Sequence, residues 1–417
     1  MGFSRPRDAI VVLVILLGAL GCGGSGGGGG TPASAARPVQ EPLAGGPYPA
    51  LLLAQAQFVA GTGADGKAQP VPGAARLLIV RRTPEGWRTV TLEDPDSNVF
   101  HKALPWAGGL LTIGGQQALL KTWRFEGGAW KQDTHWSPKF GGKFDRLRDV
   151  ELGDVDGDGT DDLVIATHDQ GVIAVVHPEQ NWRVEEVARQ ANTFVHEIEI
   201  GDVNKDGKPE FFATPSTPNK LEEQQAGEVR VYRRGANGWE HGVVEAPPDT
   251  HAKEILTADV DGDGTSLFVV WEGTVGAGGA LVRPVTIKQY RGRDGGFTSM
   301  DVTTIPDRLM RALQAGDVNG DGKVDLVGGA LSSGLWLIEQ DGQGGWRKSV
   351  IDQASSGFEH PVCLADLDGD GKLEVYVASE DQGELRQYRW DGQRFVKTVL
   401  APLRKGDITW NITAATL

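Results

Sequence analysis

The stretch Gly153–Ala166, GDVDGDGTDDLVIA, puts five carboxylates within nine residues and follows them at once with an apolar run. The phrase returns as GDVNKDGKPEFFA from Gly201, ADVDGDGTSLFVV from Ala258, GDVNGDGKVDLVGG from Gly316 and ADLDGDGKLEVYVA from Ala365. The leading aspartates, Asp154, Asp202, Asp259, Asp317 and Asp366, stand 48, 57, 58 and 49 residues apart. Self-similarity at such a period marks a repeat architecture, in which each unit is one supersecondary element covered by its neighbours.

A second marker follows each acidic phrase by about thirty residues. It is an aromatic that leaves a turn and opens a short alternating run: NWRVEEV at Trp182, GWEHGVV at Trp239, GFTSMDV at Phe297, GWRKSVI at Trp346 and RFVKTVL at Phe395. Two upstream copies, GWRTVTL at Trp87 and AWKQDTH at Trp130, have no acidic partner, so the markers count seven units. The unit around Asp202 divides into four alternating segments, His196–Gly201, Glu210–Thr214, Glu228–Arg233 and Trp239–Ala246, parted by Gly-, Pro- and Asn-rich turns. Four antiparallel strands repeated seven times predict an all-β fold, a seven-bladed β-propeller over residues 50–417. The tail DITWNITAATL, ending at Leu417, reads as an innermost strand, whereas Ala50–Ala60 has a second-strand pattern with no innermost strand before it. The C-terminal strand is therefore expected to complete the first blade and close the ring, which removes exposed sheet edges.

Composition agrees with that expectation and limits the partners. The 417 residues include 59 Gly and 12 Trp and carry a formal charge of −15. That acidic balance, with no basic patch, argues against a nucleic-acid partner. At the front, Arg5 and Arg7 precede the apolar run Ala9–Gly21, which is too short to span a bilayer and of the size of a secretory signal. Residues 1–21 are read as that signal. Its end, LGALG before Cys22, resembles a bacterial lipobox, making Cys22 the expected lipidation site, and Gly23 after it resembles outer-membrane sorting. Residues 22–49, rich in Gly, Ala and Pro, are read as a flexible tether. Membrane contact is thus expected through the N-terminal lipid alone, on an exported outer-membrane or cell-surface lipoprotein. The one other cysteine, Cys363, would have no disulfide partner once Cys22 is acylated.

The acidic phrase has the chemistry of a calcium loop. Ca²⁺ takes roughly six to eight hard oxygens, and positions 1, 3, 5 and 7 of a tight loop supply several, with Gly at 6 for the turn. The candidate ligands are Asp154, Asp156, Asp158, the Thr160 carbonyl and Asp162 in the first copy. The second copy offers Asp202, Asn204, Asp206, the Lys208 carbonyl and Glu210, and the fourth Asp317, Asn319, Asp321, the Lys323 carbonyl and Asp325. The fifth offers Asp366, Asp368, Asp370, the Lys372 carbonyl and Glu374. An EF-hand needs Glu at position 12, where these copies hold Ile165, Ala213, Gly328 and Val377; their acid sits at 9, so the loop feeds a strand. The third copy, with Asp259, Asp261 and Asp263, is one residue short and has Leu267 at position 9, which makes it a weak site. Four Ca²⁺ sites and a weak fifth would offset much of the negative charge and do the stapling that disulfides do elsewhere. Loops of this form, followed by xxDLxxA-type apolar residues, resemble the FG-GAP or VCBS repeats of integrin-α-like propellers. The resemblance covers about residues 50–417 and implies a calcium-binding propeller that serves as a binding or scaffold protein.

A ligand site is sought on the face opposite the loops. Arg148, His196, Arg311 and His360 each precede a leading aspartate by six residues, and His251 does so by eight. They share the strand parity of apolar residues such as Ile198 and Ile200, which places them at the end of an inward apolar row beside the central channel. Two long segments, Thr214–Gly227 and Glu272–Pro284, join second to third strands on the same face. This ring suits an anionic or hydroxyl-rich ligand, a glycan or an extracellular or periplasmic protein, although the same side chains could simply cap strand ends. The sequence carries no GxSxG, HExxH or phosphate-cradling motif, and no catalytic residue is assigned. The alternative to a binding protein is a polysaccharide-modifying, lyase-like enzyme on the same propeller, since some such enzymes resemble it.

Overall fold

A four-stranded sheet with aliphatic residues on both faces cannot stay in water unless each face is covered, and seven such sheets cover one another here. The computed structural model describes residues 47–417 apart from 64–65, 143–144, 169, 219–224 and 294. The expected signal, Cys22 and nearly all of the tether lie outside the described residues. Blades 2 to 7 run outward in chain order from innermost strands Val99–Trp106, Leu147–Gly153, Phe194–Gly201, Ala252–Ala258, Met310–Gly316 and Val362–Ala365. The innermost strands contact one another in cyclic order. In the unit around Asp202 the four expected segments are the strands Phe194–Gly201, Glu210–Ser216, Val229–Gly235 and Gly238–Glu245.

The core is divided into seven apolar clusters, one at each seam between neighbouring blades. Side chains alternate across a strand, so a single second strand serves two seams. Leu163 and Ile165 face blade 2, while Val164 and Ala166 of the same strand face blade 4. The recurring aromatics follow from this division, because each leans from its outermost strand onto the preceding blade. Trp182 of blade 3 packs 5.6 Å from Trp106 of blade 2, Phe297 of blade 5 lies 6.1 Å from Phe212 of blade 4, and Trp346 of blade 6 lies 6.1 Å from Phe268 of blade 5. Trp87 of blade 1 meets Tyr376 of blade 7 at 6.2 Å, which carries the pattern across the closure.

Closure is made as the tail predicted. The last strand, Ile408–Thr416, forms the inner edge of blade 1 and pairs antiparallel with Pro49–Thr62, Leu51 opposite Ala414. Beyond the strand, the amide of Tyr48 donates to the Leu417 carbonyl at 2.7 Å and the amide of Leu417 returns a bond at 3.0 Å. A buried carboxylate locks the joint: Asp407 forms an ion pair with Arg76 of blade 1, accepts from the Phe58 amide at 3.2 Å, and is gripped by Arg404 at 2.6 Å. Two blades lack an acidic loop for different reasons. In blade 1 the innermost and second strands, Ile408–Thr416 and Pro49–Thr62, are not consecutive in the chain, so no turn joins them, and blade 2 turns tightly through Ala107 and Gly108, both at positive φ.

Two substitutions test the packing. Asp407→Ala leaves Arg76 buried without a counter-charge and should cost about 3–5 kcal/mol, read as a lowered urea midpoint with an unchanged slope. Gly329 lets the backbone of blade 7 approach blade 6, since a Cβ there would stand 2.1 Å from the His360 carbonyl oxygen. Gly329→Ala should therefore lower stability by about 1–3 kcal/mol.

Candidate functional site: the acidic loops and the channel mouth

Each acidic loop is a chain of backbone amides donating to its own carboxylates. The first aspartate gathers the turn: Asp154 accepts from Gly157 at 2.8 Å and Gly159 at 3.0 Å, and Asp317 accepts from Gly320 at 2.7 Å and Gly322 at 2.9 Å. Position 3 accepts from the amide of position 5, as Asn319 does from Asp321 at 2.9 Å. Position 5 accepts from position 7, as Asp370 does from Lys372 at 3.0 Å. The acid at position 9 reaches back to the amide of position 2 in three blades, Glu210 to Val203 at 3.1 Å, Asp325 to Val318 at 3.4 Å and Glu374 to Leu367 at 3.2 Å. Amides pointing at carboxylates favour the ionised form, which is how so dense a negative charge forms an ordered turn.

Strand register sets a further residue against every loop. One step past the last paired residues of the second and third strands, His177, Arg233, Glu339 and Arg389 stand against position 9 in blades 3, 4, 6 and 7; in blade 5, where Leu267 at that position pairs with Tyr290, Arg291 stands against Ser266. In blade 7 the Arg389 guanidinium lies 2.7 Å from Asp368 and 3.1 Å from Asp370. In blade 4 Arg233 lies 2.9 Å from Glu210. In blade 5, whose loop lacks the acid at position 9, Arg291 pairs with Asp261 and Asp263, and Lys205 of blade 4 also reaches Asp263. Three loops therefore hold a cation of the chain's own. Blade 6 has none at this position: Glu339 adds a carboxylate, and burial together with Asp321, Glu339 and Asp317 raises Asp325 to about 7. One Asp325 oxygen is buried without a hydrogen bond.

Three sets of side chains among the described residues could hold a metal ion, their ligand atoms lying within 4.8 Å of one another: Asp154, Asp156 and Asp158; Asp156, Asp162 and His177; and Asp366, Asp368, Asp370 and Glu374. The oxygen-only sets suit a hard cation such as Ca²⁺; blade 6 is not among these sets, although one Asp325 oxygen there is buried without a hydrogen bond.

On the other face, the ring residues lie where the innermost strands begin; Arg148, His196, His251 and His360 are buried and Arg311 is half-buried. Arg148, Arg311 and His251 are linked through shared carboxylates. Arg148 stands 3.4 Å from Glu197 and 3.9 Å from Glu359, and Arg311 is 3.2 Å from Glu272 and 2.7 Å from Glu359. His251 lies 3.2 Å from Glu272, and His196 bonds to Ser216 at 3.1 Å. His360 is set apart at the seam of blades 6 and 7, bonded to the Ser355 hydroxyl at 2.7 Å and the Ala330 carbonyl at 2.8 Å. Sequence reasoning missed His101 and His168, which continue the row: His101 to His168, His168 to His196 and His196 to His251 have ring centroids 6.4, 5.0 and 6.1 Å apart. Burial above all keeps these four imidazoles below their usual value, and therefore neutral.

The expected inward apolar row is corrected by the structure. A β-bulge between Val195 and Ile198 breaks the alternation after His196, so Ile198 packs in the seam between blades 3 and 4 while Glu197 reaches Arg148. Similar irregularities follow Leu147, Ala252 and Met310. The side chains that meet at the axis are thus charged. Lys102 of blade 2 pairs with Asp149 at 3.0 Å and with Glu151 of blade 3. Burial, reinforced by neighbouring carboxylates, raises Glu197, Glu199 and Glu254 well above the ordinary range. Glu272 shows the opposite balance: burial would raise it, but His251, Lys253 and Arg311 hold it far below.

The second-to-third-strand segments of blades 4 and 5 stand over this network and touch it through Ser216, Gln225 and Glu272. The segment in blade 5 forms a small hairpin, Thr274–Val275 with Leu281–Arg283. Beside the blade 4 segment an open cavity of about 260 Å³ is walled by Gln190, Thr193, Thr217, Glu228, Pro247 and Pro248. A larger cavity of about 600 Å³, lined by Trp106, Phe125 and Trp130, opens between blades 1 and 2 on the loop face and is bounded by Pro47, where the described residues begin.

The ring gives a pH test. Burial, chiefly, pushes His360 down to about 4 from 6.5, so the fold keeps it neutral where an unfolded chain takes a proton. That stability is complete above pH 6.5 and drains away as pH falls toward 4. His360→Asn should flatten the acid side of the stability profile by up to one proton, about 1.4 kcal/mol per pH unit, in urea titrations across that window.

Comparison with known proteins agrees with this architecture. The FG-GAP-like repeat model matches residues 154–213 and 317–377, which begin at the first acidic loop of blade 3 and at that of blade 6. No curated protein matches the chain. Among solved structures, one described as a "putative 6-phosphogluconolactonase" from Bacteroides uniformis superimposes with a TM-score of 0.53 at 12% identity, covering 88% of this chain and 100% of its own. At that identity the likeness concerns the fold. The chain carries FG-GAP-like repeats within a seven-bladed β-propeller.

Proposed function

We propose that the protein is an exported, lipid-tethered, calcium-stabilised scaffold that binds a neutral, hydroxyl-rich glycan on the face opposite the acidic loops. The observation that carries this reading is the open cavity beside the Thr214–Gly227 segment. Its Gln190, Thr193 and Thr217 supply amide and hydroxyl groups, and Pro247 and Pro248 supply flat apolar surface. Long segments on a rigid ring are where recognition usually resides. An anionic ligand is disfavoured, because the Arg148 and Arg311 guanidiniums already face Glu197, Glu272 and Glu359. The signal and lipobox pattern before Gly23 supports the export and the tether.

Calcium enters the same reading as a structural ion. For sites of about 10–100 µM affinity in roughly millimolar Ca²⁺, each loop would add about 1.4–2.7 kcal/mol. Blade 7 brings four carboxylates together, and there an ion would displace Arg389 from Asp368 and Asp370; blade 6 has no guanidinium across from its loop, its Glu339 being paired with Arg347. A lyase-like activity is the second reading, favoured by the row of neutral imidazoles His101, His168, His196 and His251 beneath the groove, since a neutral imidazole can accept a proton.

Two measurements test these statements. Chelation should lower the melting temperature, and Asp321→Ala should remove one equivalent of Ca²⁺ in equilibrium dialysis; a melt indifferent to chelator and calcium would end the calcium reading. A glycan array probed with the full chain should return bound neutral glycans, and Gln190→Ala should weaken that binding at least about tenfold. Binding only to proteins, or to no glycan at all, would overturn the glycan assignment, and release of unsaturated product from a bound polysaccharide would replace scaffold with lyase.

A further inference from the structure

Blade 3 is the one acidic loop whose facing residue is an imidazole. Where blades 4, 5 and 7 present a guanidinium and blade 6 a carboxylate, His177 stands opposite Asp162. Its Nδ1 lies 2.6 Å from Asp162 Oδ1 and 3.7 Å from Asp156 Oδ2. The side chains of His177 and Asp162 are 2% and 1% exposed, and the outer ring nitrogen, Nε2, completes no hydrogen bond. Single ligand atoms of Asp156, Asp162 and His177 lie within 4.8 Å of one another, a spacing that a single cation can bridge. The outer nitrogen, Nε2, faces Glu185 Oε2 at 3.6 Å. Glu185 is itself held by Arg234 at 2.7 Å and by the Trp239 indole at 3.1 Å. A carboxylate behind the far nitrogen of an imidazole is the usual support of a metal-bound histidine, because it fixes the ring's tautomer and direction.

We propose that blade 3 binds a borderline divalent transition metal of the Zn²⁺ class through Asp156, Asp162 and His177, with Glu185 orienting the imidazole. One nitrogen and two carboxylates favour such an ion over Ca²⁺, which takes oxygen ligands. Asp156 also belongs to the Asp154, Asp156 and Asp158 set, so this loop holds one ion, different in kind from those of the oxygen-only loops. The proposal rests on the reading of the acidic loops as cation sites and assigns this one its metal.

The test uses the full chain, freed of any affinity tag and metal-stripped, in millimolar Ca²⁺ with Co²⁺ as the spectroscopic probe. One equivalent of Co²⁺ should bind with a visible d–d band. His177→Ala should abolish the band and weaken Co²⁺ at least about 100-fold, and Glu185→Gln should weaken it by about 10–100-fold. Both variants should keep the calcium-dependent rise in melting temperature, which reports the remaining loops and the fold. Should His177→Ala not fold, His177→Gln, closer in volume, takes its place with the same expectation. An unchanged band and stoichiometry in the His177 variant, or no Co²⁺ bound by the parent chain in calcium, overturns the assignment. A calcium-indifferent melt together with a His177-dependent band would sink the calcium reading and leave this one standing.

Discussion

Every blade has two apolar faces, and only a neighbour on each side can cover both. That constraint makes an open array of these sheets unstable at its ends, and the ring is its geometric answer. The seven seam clusters are the energetic consequence, since aliphatic alternation in each second strand feeds two of them at once. The clasp of the last strand on the first blade, with Asp407 held by Arg76 and Arg404, turns a row of repeats into a closed body. The aromatic at the head of each outermost strand belongs to the same logic, because it extends the seam toward the rim.

The acidic loops pose the reverse problem, too much charge in a small volume. Backbone amides solve part of it by donating to the carboxylates, and this requires the glycines whose positive φ lets the chain fold back on the first aspartate. Arginines of the third strand meet part of the rest in blades 4, 5 and 7. The five loops look alike when read along the chain and differ when seen across the sheet. The residue facing position 9 decides whether a loop already carries its positive charge.

The channel mouth uses pairing of another kind. Arginines and carboxylates from several blades converge there, Glu359 of blade 7 answering both Arg148 of blade 3 and Arg311 of blade 6. Such buried pairs are weak evidence of added stability and better read as positioning, since each partner is costly without the other. They tie distant blades across the axis.

Much of this was legible along the chain. The spacing of the leading aspartates and aromatics counted the blades, the tail after Phe395 announced the closing strand, and positions 1 to 9 named the loop carboxylates, because each of these rests on local geometry with a fixed period. The parity argument at His196 failed because a β-bulge adds one residue to a strand and turns everything beyond it to the other face. His177, Arg233, Arg291, Glu339 and Arg389 are not of one residue type, and they lie on a later strand after connections of unequal length. Only antiparallel register places them against the loops. The sequence by itself therefore determined the number of blades, their closure and the carboxylates of each turn; the folded sheet decided which charge each turn faces, since that depends on contacts between residues far apart in the chain.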